Sequence, residues 1–266
     1  MDRRRDMFGR KKKHIPERKN ILITGASAGL GEGMARTWAA KGHNLALAAR
    51  RLGNLETLKA ELLAENPSIQ VEVAELDVTD SEAVREVFTR FDDSLGGIDR
   101  FVLNAGLGKG ASVGSGKSWA NAQTAEVNVL GTLHQAEVAI ELLRGSNRPG
   151  HLVFISSIAS RRGMLGAETT YAATKAFVTS LAQGIHAEQS RRGSDIVVST
   201  ILPGYIDTDM TTQNQSPLKA DFDKGVASLV AAIDREPAQA AVPSLPWTVV
   251  DPALRYLPEP VSRKML

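Results

Sequence analysis

Tyr171 and Lys175 stand four residues apart in Tyr171-Ala172-Ala173-Thr174-Lys175. The stretch 171–192 reads as a long helix, so both side chains emerge on one helix face. A phenol ordinarily ionises near 10 and is a poor acid or base at neutral pH, whereas a fixed ammonium beside it favours phenolate and lowers that value. Bringing the phenol near neutrality asks for roughly 4 kcal/mol of preferential phenolate stabilisation, a demand that this ammonium and a second positive group can meet. The pair is a candidate acid–base centre. Its spacing alone is weak evidence, and its weight depends on what stands around it.

A second chemical signal lies near the start. After an apolar run at 20–24 the chain reads Thr24-Gly25-Ala26-Ser27-Ala28-Gly29-Leu30-Gly31 and passes into a helical pattern at 30–41. Glycines at a strand-to-helix junction permit a tight turn and let backbone approach a pyrophosphate, which the helix N-terminus attracts. Gly25, Ser27, Ala28, Gly29, Leu30 and Gly31 are therefore candidate dinucleotide contacts. At the end of the second strand, where NAD enzymes place an acid against the ribose hydroxyls, this chain has Ala48-Ala49-Arg50-Arg51. Two guanidinium groups suit a 2′-phosphate and no acid repels it, so NADP(H) is expected, with NAD(H) the alternative. A competing signal, Ala111-Ser112-Val113-Gly114-Ser115-Gly116-Lys117-Ser118, resembles a relaxed phosphate loop. Such a loop should follow its strand directly, and here six residues separate it from Asn104, with no acidic Mg²⁺ partner strand.

Elements able to hold these residues alternate along the chain. Strand patterns at 20–24, 45–49, 71–75, 100–104, 152–156 and 196–202 alternate with helical ones at 30–41, 55–65, 81–91, 121–144, 171–192 and 220–236. That order predicts an α/β fold: a single doubly wound Rossmann-type domain with a central parallel sheet of six to seven strands and helices on both faces. The expected division is a basic tail at 1–19, a catalytic domain at 20–240 and a Pro-rich apolar extension at 241–266. Five of the eleven Pro lie between 243 and 260, so the extension is read as irregular and packed on the same domain. A substrate lid, a dimer contact or a shallow membrane contact are its other readings.

Composition narrows the classes. A chain of 266 residues without cysteine has no thiolate chemistry, Cys-ligated zinc or disulfide framework. His14, His43, His134, His151 and His186 show no ligand spacing, and no metal site is expected. The net charge of +2 is uneven, because residues 1–20 hold nine Lys/Arg against three Asp/Glu. That tail is read as solvated, with weak peripheral contact to anionic lipid as the sharper alternative, and no nucleic-acid partner is expected. No secretory h-region and no run near the roughly 18 residues of a membrane span is present, so a cytoplasmic protein is expected.

These motifs, in this order, resemble the classical short-chain dehydrogenases/reductases from Asn20 to about Met210. The resemblance rests on Thr24-Gly25-x-x-x-Gly29-x-Gly31, Asp77-Val78, Asn104-Ala105-Gly106, Asn128, Ser156-Ser157, Tyr171-x-x-x-Lys175 and Pro203-Gly204-Tyr205-Ile206-Asp207-Thr208. It implies Asp77 and Val78 near the adenine, Asn104, Ala105 and Gly106 beside the cofactor, and Pro203, Gly204, Ile206 and Thr208 around the nicotinamide. It also implies Tyr171 as proton donor to a carbonyl oxygen and Ser157 as a hydrogen-bond donor to that oxygen. Lys175 would lower the phenol's pKa and hold the ribose, and Asn128 would hold a helix break and order a relay water. Ser157 precedes Tyr171 by fourteen residues where the family commonly has thirteen, which an extra residue at 161–170 would absorb. Ser156 is disfavoured because it should point to the other sheet face.

The function implied is an NADP(H)-dependent oxidoreductase interconverting a small carbonyl, ketone or aldehyde, and an alcohol. An apolar C-terminal extension hints at a hydrophobic substrate. The alternatives are an NAD(H)-dependent alcohol dehydrogenase and a non-catalytic dinucleotide-sensing protein on the same fold. A homodimer or homotetramer through the two long helices is the usual family assembly.

Overall fold

A computed structural model describes residues 15–146, 148–211, 216 and 218–256. Most of the basic tail and the last ten residues lie outside them. Strands β1 (Asn20–Thr24), β2 (Asn44–Ala49), β3 (Val71–Glu75), β4 (Arg100–Leu103), β5 (Gly150–Ile155), β6 (Ile196–Pro203) and β7 (Gln239–Val242) form one sheet. Its order is β3-β2-β1-β4-β5-β6-β7, and every neighbouring pair is parallel. Parallel strands are covered on both faces, which is why β1, β2, β4 and β5 are buried along their whole length. The order reverses direction between β1 and β4, the switch point at which such sheets form a ligand crevice.

Helices cover both faces. On one side α1 (Gly29–Ala40), α2 (Leu52–Glu65) and α7 (Phe222–Asp234) pack through Met34, Trp38, Leu58 and Leu229. On the other, α3 (Ser81–Leu95), α5 (Gly131–Gly145) and α6 (Glu168–Arg192) pack through Phe88, Phe91, Ala139 and Val178. Local chemistry sets several boundaries. Asp80 caps α3 by accepting from the Glu82 and Ala83 amides, each at 3.0 Å, and Gly96 ends it at φ 69°. α6 stops at Gly193, φ 62°, for the same left-handed reason.

Two elements differ from the sequence expectation. The helix expected at 121–144 is three pieces: α4 (Ser118–Ala125), a π-helical turn (Glu126–Leu130) and α5. The seventh strand, β7, falls within the six to seven expected. Residues 244–256, read as irregular, form helix α8 (Ser244–Tyr256). Its buried Trp247, Val250 and Leu254 recur at helical spacing, and Pro246 sits near its start, where a missing N–H costs little. Leu245, before that proline, keeps an extended backbone, and Pro252 lies inside the helix.

At the opposite end of the sheet from the C-terminal strand ends, buried Arg18 donates to Glu236 at 2.7 Å, and buried Arg100 donates to Asp234 at 2.7 Å. This charged cluster ties the segment before β1 to β4 and to the turn before β7.

Candidate active site

One cavity of about 740 Å³ runs along the C-terminal ends of the strands, from Ser27, Arg50 and Arg51 to Ser157 and Tyr171. Its floor begins at the turn after β1, where Gly25 and Gly29 have φ of 64° and 56°. Ala28, at the N-cap of α1, offers no side-chain acceptor, so the backbone N–H groups of the first helical turn keep free capacity beside the cavity. Gly31 does not line the cavity: it lies behind the turn, where an added Cβ would stand 2.3 Å from the Gly25 carbonyl oxygen. It lets α1 close onto the turn. Asn104, at the end of β4, locks the same turn by donating through Nδ2 to the Thr24 carbonyl at 2.9 Å. Thr24 Oγ1 accepts in return from the Asn104 and Ala105 amides, each at 3.1 Å.

At the far end of this floor Arg50 and Arg51 are both exposed. Arg51 Nε donates to Ser27 Oγ at 3.2 Å, which joins the β2 end to the glycine turn. Asp77 accepts from the Thr79 amide at 3.0 Å and from its hydroxyl at 2.8 Å. Partial burial pushes its carboxyl up, but those two bonds and the Arg50 charge outweigh it and leave the group below the usual carboxylate range. Val78 and the Pro203, Gly204, Ile206 and Thr208 segment complete the walls.

The reacting end brings together residues from four elements. Tyr171 lies in the first turn of α6, half-buried, and Lys175 one turn later, with Nζ 5.8 Å from the phenol ring centroid. Lys175 is 6 % exposed, and its Nζ donates to the Ile155 carbonyl at 2.9 Å. Burial draws its pKa down from 10.5 to about 8. The Tyr171 phenol is raised, chiefly by burial; the Ser157 hydroxyl pulls the other way, and Glu168 and Tyr205 add to the rise.

Ser157 lines the cavity and caps a 3₁₀ turn (Ile158–Arg161), its Oγ accepting from the Ala159 amide at 3.2 Å. Ser156 also borders the cavity, but its hydroxyl is engaged elsewhere: it donates to the Lys175 carbonyl at 2.9 Å and lies 2.7 Å from Thr179 Oγ1. Asn128 sits in the π-helical turn, buried and off the cavity wall. Its side chain accepts from the Leu107 amide at 2.8 Å, and donates to the Leu107 carbonyl at 2.9 Å and to Thr174 Oγ1 at 3.0 Å. Thr174 in turn donates to the Tyr171 carbonyl at 2.7 Å. A Cβ at Gly106 would stand 3.3 Å from Lys175 Nζ and 3.4 Å from Asn128 Oδ1, so a glycine leaves these two groups facing one small space.

Sequence reasoning missed Leu107, Val127, Ile155, Met210 and Thr211 in the cavity wall. The apolar ones, at strand ends and in loops, look like core until the fold places them, Thr211 looks like any loop threonine, and no local signal marks them. Ala111 to Ser118, the relaxed phosphate-loop motif, stays outside the cavity. Among the described residues no three His, Cys, Asp or Glu side chains come together as a metal-binding group, and no helix is long and apolar enough to cross a membrane.

A glycine cradle at a helix N-terminus on a parallel sheet, with a phenol and an amine at the other end of one cavity, defines a dinucleotide-dependent α/β oxidoreductase. The profile of the short chain dehydrogenase family matches residues 19–219, and the chain belongs to that family of oxidoreductases. It is 49% identical over 250 residues to an uncharacterised oxidoreductase of Mycobacterium tuberculosis, covering 93% of this chain and 97% of that one. It is 32% identical over 193 residues to the 3-oxoacyl-(acyl-carrier-protein) reductase MabA of the same organism, covering 73% and 71%. Among solved structures, a short-chain dehydrogenase from Sphingobium yanoikuyae in complex with NADPH superposes with a TM-score of 0.75 at 28% identity, covering 88% of this chain and 92% of that one.

Proposed function

We propose that the protein is an NADP(H)-dependent oxidoreductase that interconverts a ketone or aldehyde and the corresponding alcohol, with Tyr171 as the acid–base group. The observation that carries this reading is the single cavity whose one end is Ser27, Arg50 and Arg51 and whose other end is Ser157, Tyr171 and Lys175. The glycine turn and the helix N-terminus would hold the pyrophosphate, Arg50 and Arg51 a 2′-phosphate, and Thr208 the nicotinamide carboxamide. A bound reduced nicotinamide supplies the hydride that adds to the carbonyl carbon. Ser157 donates to the carbonyl oxygen and orients it, and the Tyr171 hydroxyl gives its proton to the oxygen as charge develops there.

The raised phenol suits that direction, because it stays protonated at neutral pH and is a ready donor. Lys175, one helical turn from Tyr171 with Nζ 5.8 Å from its ring centroid, would hold the nicotinamide ribose and, while charged, favour proton release from the phenol. Asn128 acts through Leu107 and Thr174, which set the loop beside Gly106 and the backbone of Tyr171. NADPH is the partner reported for the Sphingobium yanoikuyae neighbour, and reduction of a carbonyl is the activity named for MabA.

An NAD(H)-using dehydrogenase is the second reading, because Asp77 lies near enough to draw on the Arg50 charge. Steady-state rates with NADPH and NADH over small, aromatic, steroid and long-chain carbonyls test both. Replacing Arg50 and Arg51 by Ala should cut the NADPH/NADH ratio of kcat/KM by about tenfold or more, the scale of one lost charge-assisted hydrogen bond. An unaltered ratio refutes the NADP(H) assignment. Cofactor binding without turnover on any carbonyl supports a sensing role instead. The reading also includes a cytoplasmic homodimer or homotetramer, which light scattering checks.

A further inference from the structure

We infer that α8 is a positioning element for the reacting end of the cavity, and that Arg161 and Trp247 are the residues through which it holds Ser157 and Gly204 in place. This rests on the functional reading above. Ser157 is the cap of the 3₁₀ turn Ile158–Arg161, so the direction of its hydroxyl follows the placement of that turn. The turn is gripped by α8. Arg161 donates through Nε and Nη2 to the two carboxylate oxygens of Asp251, the second at 3.0 Å, in a forked geometry that fixes orientation as well as distance. Only 6 % of the Arg161 side chain and 20 % of the Asp251 side chain are exposed, so solvent screens the pair weakly. The same guanidinium faces the side-chain amide of Gln239 in β7.

Two further contacts run in parallel with this pair. Arg162 Nε donates to the Leu254 carbonyl at 3.0 Å, and Ile158 joins Trp247, Val250 and Leu254 in an apolar cluster separate from the two main cores. From its other side α8 supports the loop after β6. Trp247 is fully buried against Gly204, where an added Cβ would stand 2.0 Å from the indole ring, and the Tyr205 ring meets the indole edge-on, 5.6 Å between centroids. Ser157 and Gly204 both line the cavity, each just beyond the last paired residues of the neighbouring strands β5 and β6, where the ladder ends with the Ser156 amide donating to the Ile201 carbonyl at 2.8 Å, and α8 touches both segments past that point. A helix that sets the separation of two such segments acts on catalysis, because a displacement of about 1 Å in a reacting geometry costs up to about a hundredfold in rate.

The experiment uses the full chain. kcat and KM for an accepted carbonyl, the NADPH Kd by fluorescence titration and Tm are measured for wild type, Arg161→Ala, Asp251→Ala and the double variant. The expected result is a fall in kcat of about tenfold or more in each single variant, no further fall in the double, and an NADPH Kd within about twofold of wild type. Wild-type kcat with a lowered Tm, or losses that multiply in the double variant, would overturn the inference and leave α8 as packing alone. Should the alanine variants not fold, Arg161→Lys, which keeps the charge and loses the fork, carries the test together with Trp247→Phe. A kcat loss of about threefold or more at unchanged Kd supports the positioning role, and wild-type kcat in both overturns it. Absence of wild-type turnover on every carbonyl refutes the functional reading and this inference with it, whereas the inference alone fails on the ratio of variant to wild-type kcat.

Discussion

Lys175 makes a thermodynamic statement that can be read without any substrate. Its amine, buried and donating to the Ile155 carbonyl, ionises at about 8 where a free lysine ionises at 10.5. Between those values the unfolded chain carries a proton that the folded protein has released, so stability rises with pH across that window. The depression of about two and a half pH units corresponds to about 3 kcal/mol. Below pH 8 both states are protonated and the folded protein bears the whole cost of a buried ammonium. Lys175→Met, similar in length and uncharged, removes that cost and leaves the Ile155 carbonyl without its donor, a loss of about 1 kcal/mol. The variant should therefore be about 2 kcal/mol more stable at pH 7, an advantage that shrinks above pH 8 and reverses to a deficit of about 1 kcal/mol by pH 10.5, where only the lost hydrogen bond remains. Urea unfolding followed by tryptophan fluorescence, at several values from pH 7 to 10.5, gives the difference curve, in which the other titrating groups cancel. A difference independent of pH, or a variant less stable than wild type at pH 7, would refute the reasoning.

Two further outcomes follow from contacts in the site. Gly31→Ala puts a Cβ 2.3 Å from the Gly25 carbonyl oxygen and 2.7 Å from Asn104 Nδ2, so the turn must shift. It should cost about 1–3 kcal/mol by urea unfolding and weaken dinucleotide binding by titration, and a neutral change in both would contradict the close packing of turn and helix. The two serines should separate cleanly. Ser157→Ala should lower kcat by about a hundredfold and cost about 1 kcal/mol through the lost cap of the 3₁₀ turn, whereas Ser156→Ala, which loses its bonds to the Lys175 carbonyl and Thr179, should cost about 1–2 kcal/mol and spare most of kcat. Turnover abolished in Ser156→Ala and kept in Ser157→Ala would mean the wrong hydroxyl has been assigned.

Features carried by short-range pattern were legible in the sequence. The continuous apolar strands, the glycine turn into α1 and the i, i+4 placement of Tyr171 and Lys175 all follow from local geometry, and each stands where the pattern put it. The fold class was readable for the same reason, since alternating strands and helices have few ways to bury both faces of a sheet. Features that depend on distant partners were not. A helix break at Asn128 was expected from the family resemblance alone; its form, the π-helical turn at Glu126–Leu130, sits where Asn128 is held by Leu107 and Thr174, both remote along the chain. α8 was hidden by its prolines, although Trp247, Val250 and Leu254 carried the helical period, because proline density outweighs three apolar positions in any local reading. The proton affinities of Tyr171 and Lys175 turned on burial, which raises the phenol and lowers the amine and which sequence spacing does not contain.

The claim on which the rest depends is that the Tyr171 hydroxyl supplies the proton in carbonyl reduction. It is tested most directly by comparing Tyr171→Phe with wild type on whichever carbonyl the NADPH screen accepts, measuring kcat together with the NADPH Kd. Removing one oxygen from a half-buried ring that lines the cavity should leave cofactor affinity within about twofold and lower kcat by about a hundredfold or more. A Tyr171→Phe enzyme that turns over at near the wild-type kcat would contradict it.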